Sequence, residues 1–255
     1  MKRYQLPLTV ALIFVMACVG QAEEGKMRLF EMRTYYAAEG KLEALHSRFR
    51  DHTVGLFERH GMTNIGYWTP VDNPQRQLVY LLAYPDRKAR TAAWKAFFAD
   101  PQWKAAFQAS EVDGKLVERV ESLFLEATDY SPQIQSSALS PRIFELRTYT
   151  TTKGNLPALH QRFRDHTVAL FAKHGMTNVG SWSPQPDQPG AENTLIYILA
   201  HRDQEAAAAS FSAFRQDPQW IKARTESEAA VGGSLTAPDG VQSTFMQATD
   251  YSDIR

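Results

Sequence analysis

The sequence predicts an α+β fold, built as two ferredoxin-like βαββαβ domains packed sheet to sheet. Three observations predict it. The stretch Arg48-Phe49-Arg50-Asp51-His52-Thr53-Val54 returns as Arg162-Phe163-Arg164-Asp165-His166-Thr167-Val168, so the chain is an internal duplication at an offset of 114, which grows to 117 and then to 121 through short insertions in the second copy. Each copy carries the same run of elements: strand, helix, strand, strand, helix, strand. Finally, one strand in each copy is apolar on both faces, which requires cover on two sides.

Each element has a local cause. From Arg28 to Tyr36 the residues alternate, with Phe30, Met32, Thr34 and Tyr36 on one face and Leu29, Glu31, Arg33 and Tyr35 on the other. The second copy repeats this, with a Glu145, Arg147, Tyr149 stripe. Lys41 to His60 places Leu42, Leu45, Phe49, Thr53 and Leu56 at helical spacing, and Gly61 follows where a C-cap needs positive φ. Ile65, Tyr67 and Thr69 alternate with Asn64, Gly66 and Trp68 in a second strand, and Val71-Asp72-Asn73-Pro74 supplies a hairpin turn. Leu78 to Tyr84 is the strand apolar on both faces. A helix with Trp94, Phe97 and Phe98 then runs to Asp100-Pro101, where Asp caps and Pro opens a fresh helix. Val117 to Tyr130 is the last strand. The second copy has a longer hairpin at Gln185 to Asn193.

In this element order both helices lie on one face of a four-stranded antiparallel sheet, and the other face is left open. The nearest cover for that face is the equivalent face of the other copy, which gives a fused dimeric α+β barrel. The expected domains are 27–130 and 142–251, joined by a Ser-, Pro- and Gln-rich linker at 131–141.

Composition limits the function. With 28 basic and 28 acidic residues the formal charge is zero, and without a basic run nucleic-acid binding is not expected. Lys2 and Arg3 precede an apolar run from Leu6 to Val19, too short for a comfortable span, which reads as a signal peptide over 1–22. The expectation is export to a bacterial periplasm or beyond, with no transmembrane span in the mature chain. Cys18, the only cysteine, is either discarded with the signal or lipidated as a membrane anchor, and no disulfide can form within the mature chain. Homo-oligomerisation is left open.

The motifs Phe30-Glu31-Met32-Arg33-Thr34-Tyr35, the Arg-Asp-His-Thr helix, His60-Gly61-Met62, Gly66-Tyr67-Trp68 and Asp100-Pro101-Gln102-Trp103 resemble the NIPSNAP family, in both copies. The resemblance implies a dimeric α+β barrel, a fold shared with small monooxygenases and haem-dependent relatives. It implies no particular reaction.

Candidate site residues follow from chemistry and position. His52 and His166 lie beside the apolar stripe of the first helix, and Trp68 and Trp182 share a strand face with Gly66 and Gly180, whose missing side chains leave room for a pocket between sheet and helices. The plainer alternative for the histidines is half-buried packing. Asp51 and Asp165 are expected to pair with Arg48 and Arg162 at the surface. His46, His52 and His60 are six and eight residues apart, unlike the three or four that lets two helical ligands converge, so no metal site is expected there. If the open sheet face is covered by the other copy, Glu31, Arg33, Tyr35, Glu145, Arg147 and Tyr149 become a polar cluster inside the barrel, where unpaired charge costs several kcal/mol and pairing is required. No cofactor is predicted, and no nucleophile or phosphate-loop motif is present. Three classes remain: a small-molecule-binding or interaction protein, a cofactor-free monooxygenase- or isomerase-like enzyme, and a structural envelope component.

Overall fold

The computed structural model describes residues 29–134 and 142–255. The apolar run, Cys18 and most of the linker fall outside them. The first copy runs β1 (Leu29–Ala37), α1 (Leu42–Arg48), a π-helical turn (Phe49–Thr53), α2 (Val54–Arg59), β2 (Thr63–Pro70), β3 (Gln77–Tyr84), α3 (Arg87–Ala99), α4 (Pro101–Ser110) and β4 (Val117–Ala127). The second runs β5 (Ile143–Thr151), α5 (Leu156–Arg162), a second π turn (Phe163–Thr167), α6 (Val168–Lys173), β6 (Thr177–Pro184), β7 (Thr194–His201), α7 (Gln204–Gln216), α8 (Pro218–Val231) and β8 (Thr236–Ala248).

The strands close into one antiparallel barrel in the order β1-β3-β2-β8-β5-β7-β6-β4. Within each copy the order is fourth, first, third, second strand. The copies meet at two seams, where β2 pairs with β8 at Trp68↔Ala248 to Pro70↔Met246 and β4 pairs with β6 at Leu125↔Pro184 to Ala127↔Trp182. Neither copy has a free sheet edge at these seams, which removes two templates for aggregation.

The helix breaks follow from the residues named above. Asp86 accepts from the Ala89 amide at 2.7 Å to open α3, and Asp100 accepts from the Gln102 amide at 2.7 Å to open α4 with Pro101 in its first turn. Gly61 takes φ +78°, which ends α2. The duplicated Arg-Phe-Arg-Asp-His-Thr motif forms the π turn in both copies, and Thr53 Oγ1 donates to the Arg48 carbonyl at 3.1 Å across it. The widened turn keeps Phe49 and Thr53 inward and leaves His52 outward.

The barrel interior reverses the predicted assignment of faces. Phe30, Met32, Val79, Leu81, Phe144, Ile196 and Ile198 fill it with Trp68 and Trp182, and the copies interlock as Phe30 meets Trp182 and Trp68 meets Phe144, both at 5.8 Å between rings. The Glu31-Arg33-Tyr35 and Glu145-Arg147-Tyr149 stripes lie instead on the outer face, under the helices, packed with Phe49, Trp94 and their counterparts. The physical reason is that the outer face supplies hydrogen-bond partners to the charged stripes, from α3 and β4 for Glu31 and from the neighbouring strands for Glu145, whereas the closed interior is lined by apolar side chains.

Candidate functional site

Glu31 sits at the centre of the first copy's outer face and is wholly buried. It accepts from Arg33 Nη1 at 2.5 Å, Ser122 Oγ at 2.7 Å, and Arg90 Nη2 and Nε at 2.7 and 2.9 Å. The Tyr84 hydroxyl donates at 3.2 Å, and Trp94 Nε1 lies 3.3 Å from the carboxylate and 2.9 Å from the Tyr84 oxygen. Burial pushes the Glu31 carboxyl up, but the Arg90 bonds, the Arg33 charge and the Ser122 bond outweigh it and bring it down to about 2. Arg33 stays a cation, because the tyrosine oxygens around it and Glu31 outweigh its own burial. Its guanidinium lies 4.5 Å from the Trp94 ring centre.

Above this floor opens a cleft of about 480 Å³ lined by Arg87, Arg90, Thr91, Phe124, Gln185, Pro186 and Asp187. Its far wall belongs to the second copy. The longer hairpin reaches across, where Arg87 Nε donates to Gln185 Oε1 and Arg87 Nη2 to Asp187 Oδ1, both at 2.7 Å. Gln185 N donates to the Phe124 carbonyl at 2.9 Å and Gln188 Oε1 accepts from the Phe124 amide at 3.1 Å, locking the hairpin to β4.

The equivalent place in the second copy is different. Gln204, Ala207 and Phe211 stand where Arg87, Arg90 and Trp94 stand, and His201 replaces Tyr84. Glu145 accepts from Arg147, from Ser243 Oγ at 2.5 Å and from His201 Nε2 at 3.1 Å. Burial raises the Glu145 carboxyl, but the His201 bond and the Arg147 charge bring the net shift downward. His201 is buried, and among the described residues its Nδ1 has no hydrogen-bond partner.

The structure does not bring the predicted histidines and tryptophans together. His52 and His166 are exposed on the outer helices. Trp68 and Trp182 are fully buried inside the barrel, on the other side of the sheet, and among the described residues neither indole N–H has a partner. The room beside Gly66 is filled by the tryptophan itself: a Cβ there would lie 2.4 Å from the Trp68 ring, and the same holds for Gly180 and Trp182. His166 does line a surface depression of about 490 Å³ between α6 and α8, with Asp165, Lys173, Lys222 and Glu226 among its neighbours, but Trp182 takes no part in it. Nor does Arg48 pair with Asp51; it is buried against Glu111 at 3.2 Å, with its guanidinium 5.4 Å from the Trp103 ring centre.

Sequence reasoning missed a second pair of clusters, at the seams. His46 Nδ1 lies 2.8 Å from the Tyr251 hydroxyl and Nε2 3.4 Å from Thr69 Oγ1, while Arg50 grips Asp250 through two bonds of 2.6 and 2.9 Å. The other seam repeats this with His160, Tyr130, Ser183, Arg164 and Asp129. Each copy's first helix thus holds the other copy's Ala-Thr-Asp-Tyr-Ser tail. Burial lowers the pKa of both His46 and His160. A signal existed in the sequence, since the tail motif is among the best-kept parts of the duplication. Among the described residues no group of three or more His, Cys, Asp or Glu could hold a metal ion.

The comparisons with known proteins agree with this architecture. The NIPSNAP family model matches residues 30–132 and again 144–253. A "putative monooxygenase" from Lactobacillus acidophilus superposes with a TM-score of 0.56 at 12% identity, covering 87% of this chain and 94% of that one. Another "putative monooxygenase", from Fusobacterium nucleatum, gives 0.54 at 11%, covering 88% and 93%. An uncharacterized NIPSNAP domain protein from Burkholderia xenovorans is 30% identical over 41% of this chain and 99% of its own, with a TM-score of 0.37. At such identities the first two share the fold alone. No curated protein matches the chain in sequence.

Proposed function

The chain belongs to the NIPSNAP family, and from that premise we propose that it is an exported small-molecule-binding protein whose ligand site is the cleft between α3, β4 and the hairpin of the second repeat. One observation carries this reading. Several differences between the two repeats meet at one place: Arg87, Arg90, Trp94 and Tyr84 on the first repeat's side, and the three-residue longer hairpin of the second on the other. The same elements form in the second repeat with Gln204, Ala207 and Phe211, so the architecture itself does not require Arg87, Arg90 and Trp94. The seam cleft of about 670 Å³ at His160 is a weaker candidate, because its His, Arg and Asp contacts recur at the other seam, where they serve to join the repeats. Seen this way, each repeat is a ferredoxin-like unit, and the ligand would bind where the outer face of one meets the hairpin of the other, a common position for ligand sites.

Thr91→Trp tests the site, since Thr91 is exposed and lines the cleft. A molecule that co-purifies with the protein in native mass spectrometry, or a fragment that raises its melting temperature, should lose its effect in the variant; equal binding to both forms would reject the cleft. For export, the support is the Lys2-Arg3 start and the Leu6 to Val19 run. N-terminal analysis of protein from its own host should find residues before about Glu23 removed, or a lipidated Cys18; an intact Met1 would sink this part.

A second reading, a cofactor-free enzyme, draws on His201. Its imidazole is bonded to Glu145 through Nε2, and among the described residues Nδ1 has no partner, an arrangement in which histidine often serves acid–base chemistry. It stands second because neither His201 nor Glu145 lines the clefts described above.

A further inference from the structure

Resting on the cleft reading above, we infer that the ligand is a small organic carboxylate with one negative charge, bound once per chain by Arg87 and Arg90. Three arguments converge. Counting charge, the cleft and its floor hold Arg33, Arg87 and Arg90 against Glu31 and Asp187, an excess of one positive charge, which a monoanion neutralises. Counting donors, Arg87 spends Nε and Nη2 on Gln185 and Asp187, and Arg90 spends Nε and Nη2 on Glu31. Both arginines line the cleft, and the bonds found among the described residues use only Nε and Nη2, so each guanidinium keeps donors that a carboxylate's two oxygens can take.

Position supplies the third argument. The guanidinium carbons of Arg87 and Arg90 lie 3.6 and 5.1 Å from the Phe124 ring centre, and the bonds to Asp187 and Glu31 fix the planes further. Two arginines held this way lose little freedom when an anion arrives. Phe124 and Pro186 offer apolar wall to the rest of the molecule. A cation would meet net repulsion here, and in the second repeat Gln204 and Ala207 remove both arginines, so one site per chain is expected.

Benzoate, neutral benzamide and benzylammonium, titrated into the whole mature protein by calorimetry and by arginine Nε-detected NMR, separate the possibilities. Benzoate should bind with a stoichiometry of one, shift the Arg87 and Arg90 signals, and bind at least about tenfold more tightly than benzamide, the factor expected of one charge-assisted bond. Arg87→Gln, which installs the residue that the second repeat carries at this position, should weaken benzoate about tenfold with an unchanged melting temperature, and Arg87→Lys should restore part of it. Benzamide binding as well as benzoate, with Thr91→Trp blocking both, overturns the carboxylate assignment and leaves the cleft standing. Benzoate binding that ignores Thr91→Trp overturns the carboxylate assignment and counts against the cleft reading as well. A stoichiometry of two overturns the assignment to one repeat. Absence of benzoate binding overturns the ligand class, and the fragment screen then decides the cleft alone.

Discussion

Replacing Glu31 by Gln keeps the shape of the side chain and removes the charge that two guanidiniums share. Its effect can be worked out from the carboxyl itself, which the fold brings from an ordinary value of 4.5 to about 2 despite burial acting the other way. At about 1.4 kcal/mol for each tenfold change in ionisation, the folded state favours the carboxylate by about 3 kcal/mol. Because the folded value is depressed, this contribution is present in full above pH 4.5 and is lost as the pH falls towards 2. The Gln variant has no such dependence at this position. Urea unfolding followed by tryptophan fluorescence should therefore place the variant about 3 kcal/mol below wild type at pH 7, in line with the cost of breaking a buried ion pair. The gap should narrow to within about 1 kcal/mol by pH 2.5. Other acid-sensitive groups, Glu145 among them, are common to both proteins and cancel in the difference. A gap that stays constant from pH 7 to 2.5 would refute the reasoning, since it would mean that Glu31 acts through shape rather than charge.

Three further outcomes are expected. At the seams, burial lowers His46 and His160, so stability is full above the unfolded value of 6.5 and declines as the pH drops below it; the His46→Gln, His160→Gln double variant should show a flatter melting temperature between pH 7 and 5, and an unchanged slope would separate these histidines from the acid limb. Gly66→Ala should cost about 1–3 kcal/mol by pressing on the Trp68 ring, and pairing it with Trp68→Phe should cost less than the sum of the two; strict additivity in a double-mutant cycle would show that the ring does not feel the methyl. Residues 29–134 alone should dimerise on a light-scattering column, with β2 of one copy meeting β4 of the other as β2 now meets β8, whereas a stable monomer would contradict the closure argument.

Much of the fold was legible because its signals are local. The helix over Lys41 to His60, the Asp100-Pro101 break and the strand Leu78 to Tyr84 each follow from a few neighbouring residues, and the duplication made each visible twice; the π turn that divides that helix was not foreseen. Which face of β1 looks inward was not legible. Alternation separates Glu31 and Arg33 from Phe30 and Met32, but it does not say which set meets helices and which meets the other sheet. That depends on donors distant in sequence, which differ between the copies: Arg90 and Trp94 for Glu31, His201 and Ser243 for Glu145. The same blindness misplaced Trp68: a glycine two residues before a tryptophan reads as space, and only the rotamer shows that the indole fills it. The cleft was hidden for a further reason, since its two walls come from different repeats and meet only when β4 pairs with β6.

Fusion of the two copies allows equivalent places in the two repeats to differ. In a barrel of two identical chains, every substitution falls on both sites at once, so an arginine gained at one place must also be tolerated at the other. Joined in one chain, the sites are independent. The record of that independence is the number of donors around each buried carboxylate: Glu31 has Arg33, Ser122, Arg90, Tyr84 and Trp94 about it, whereas Glu145 has Arg147, Ser243 and His201. Both carboxylates remain because each still faces an arginine two residues along its own strand, and losing either would leave that guanidinium buried without its partner, a cost of several kcal/mol. The floor is thus fixed by stability and the rim is free to vary. The rim, where Arg87 faces Asp187, is therefore where the two repeats are free to differ without cost to the buried floor.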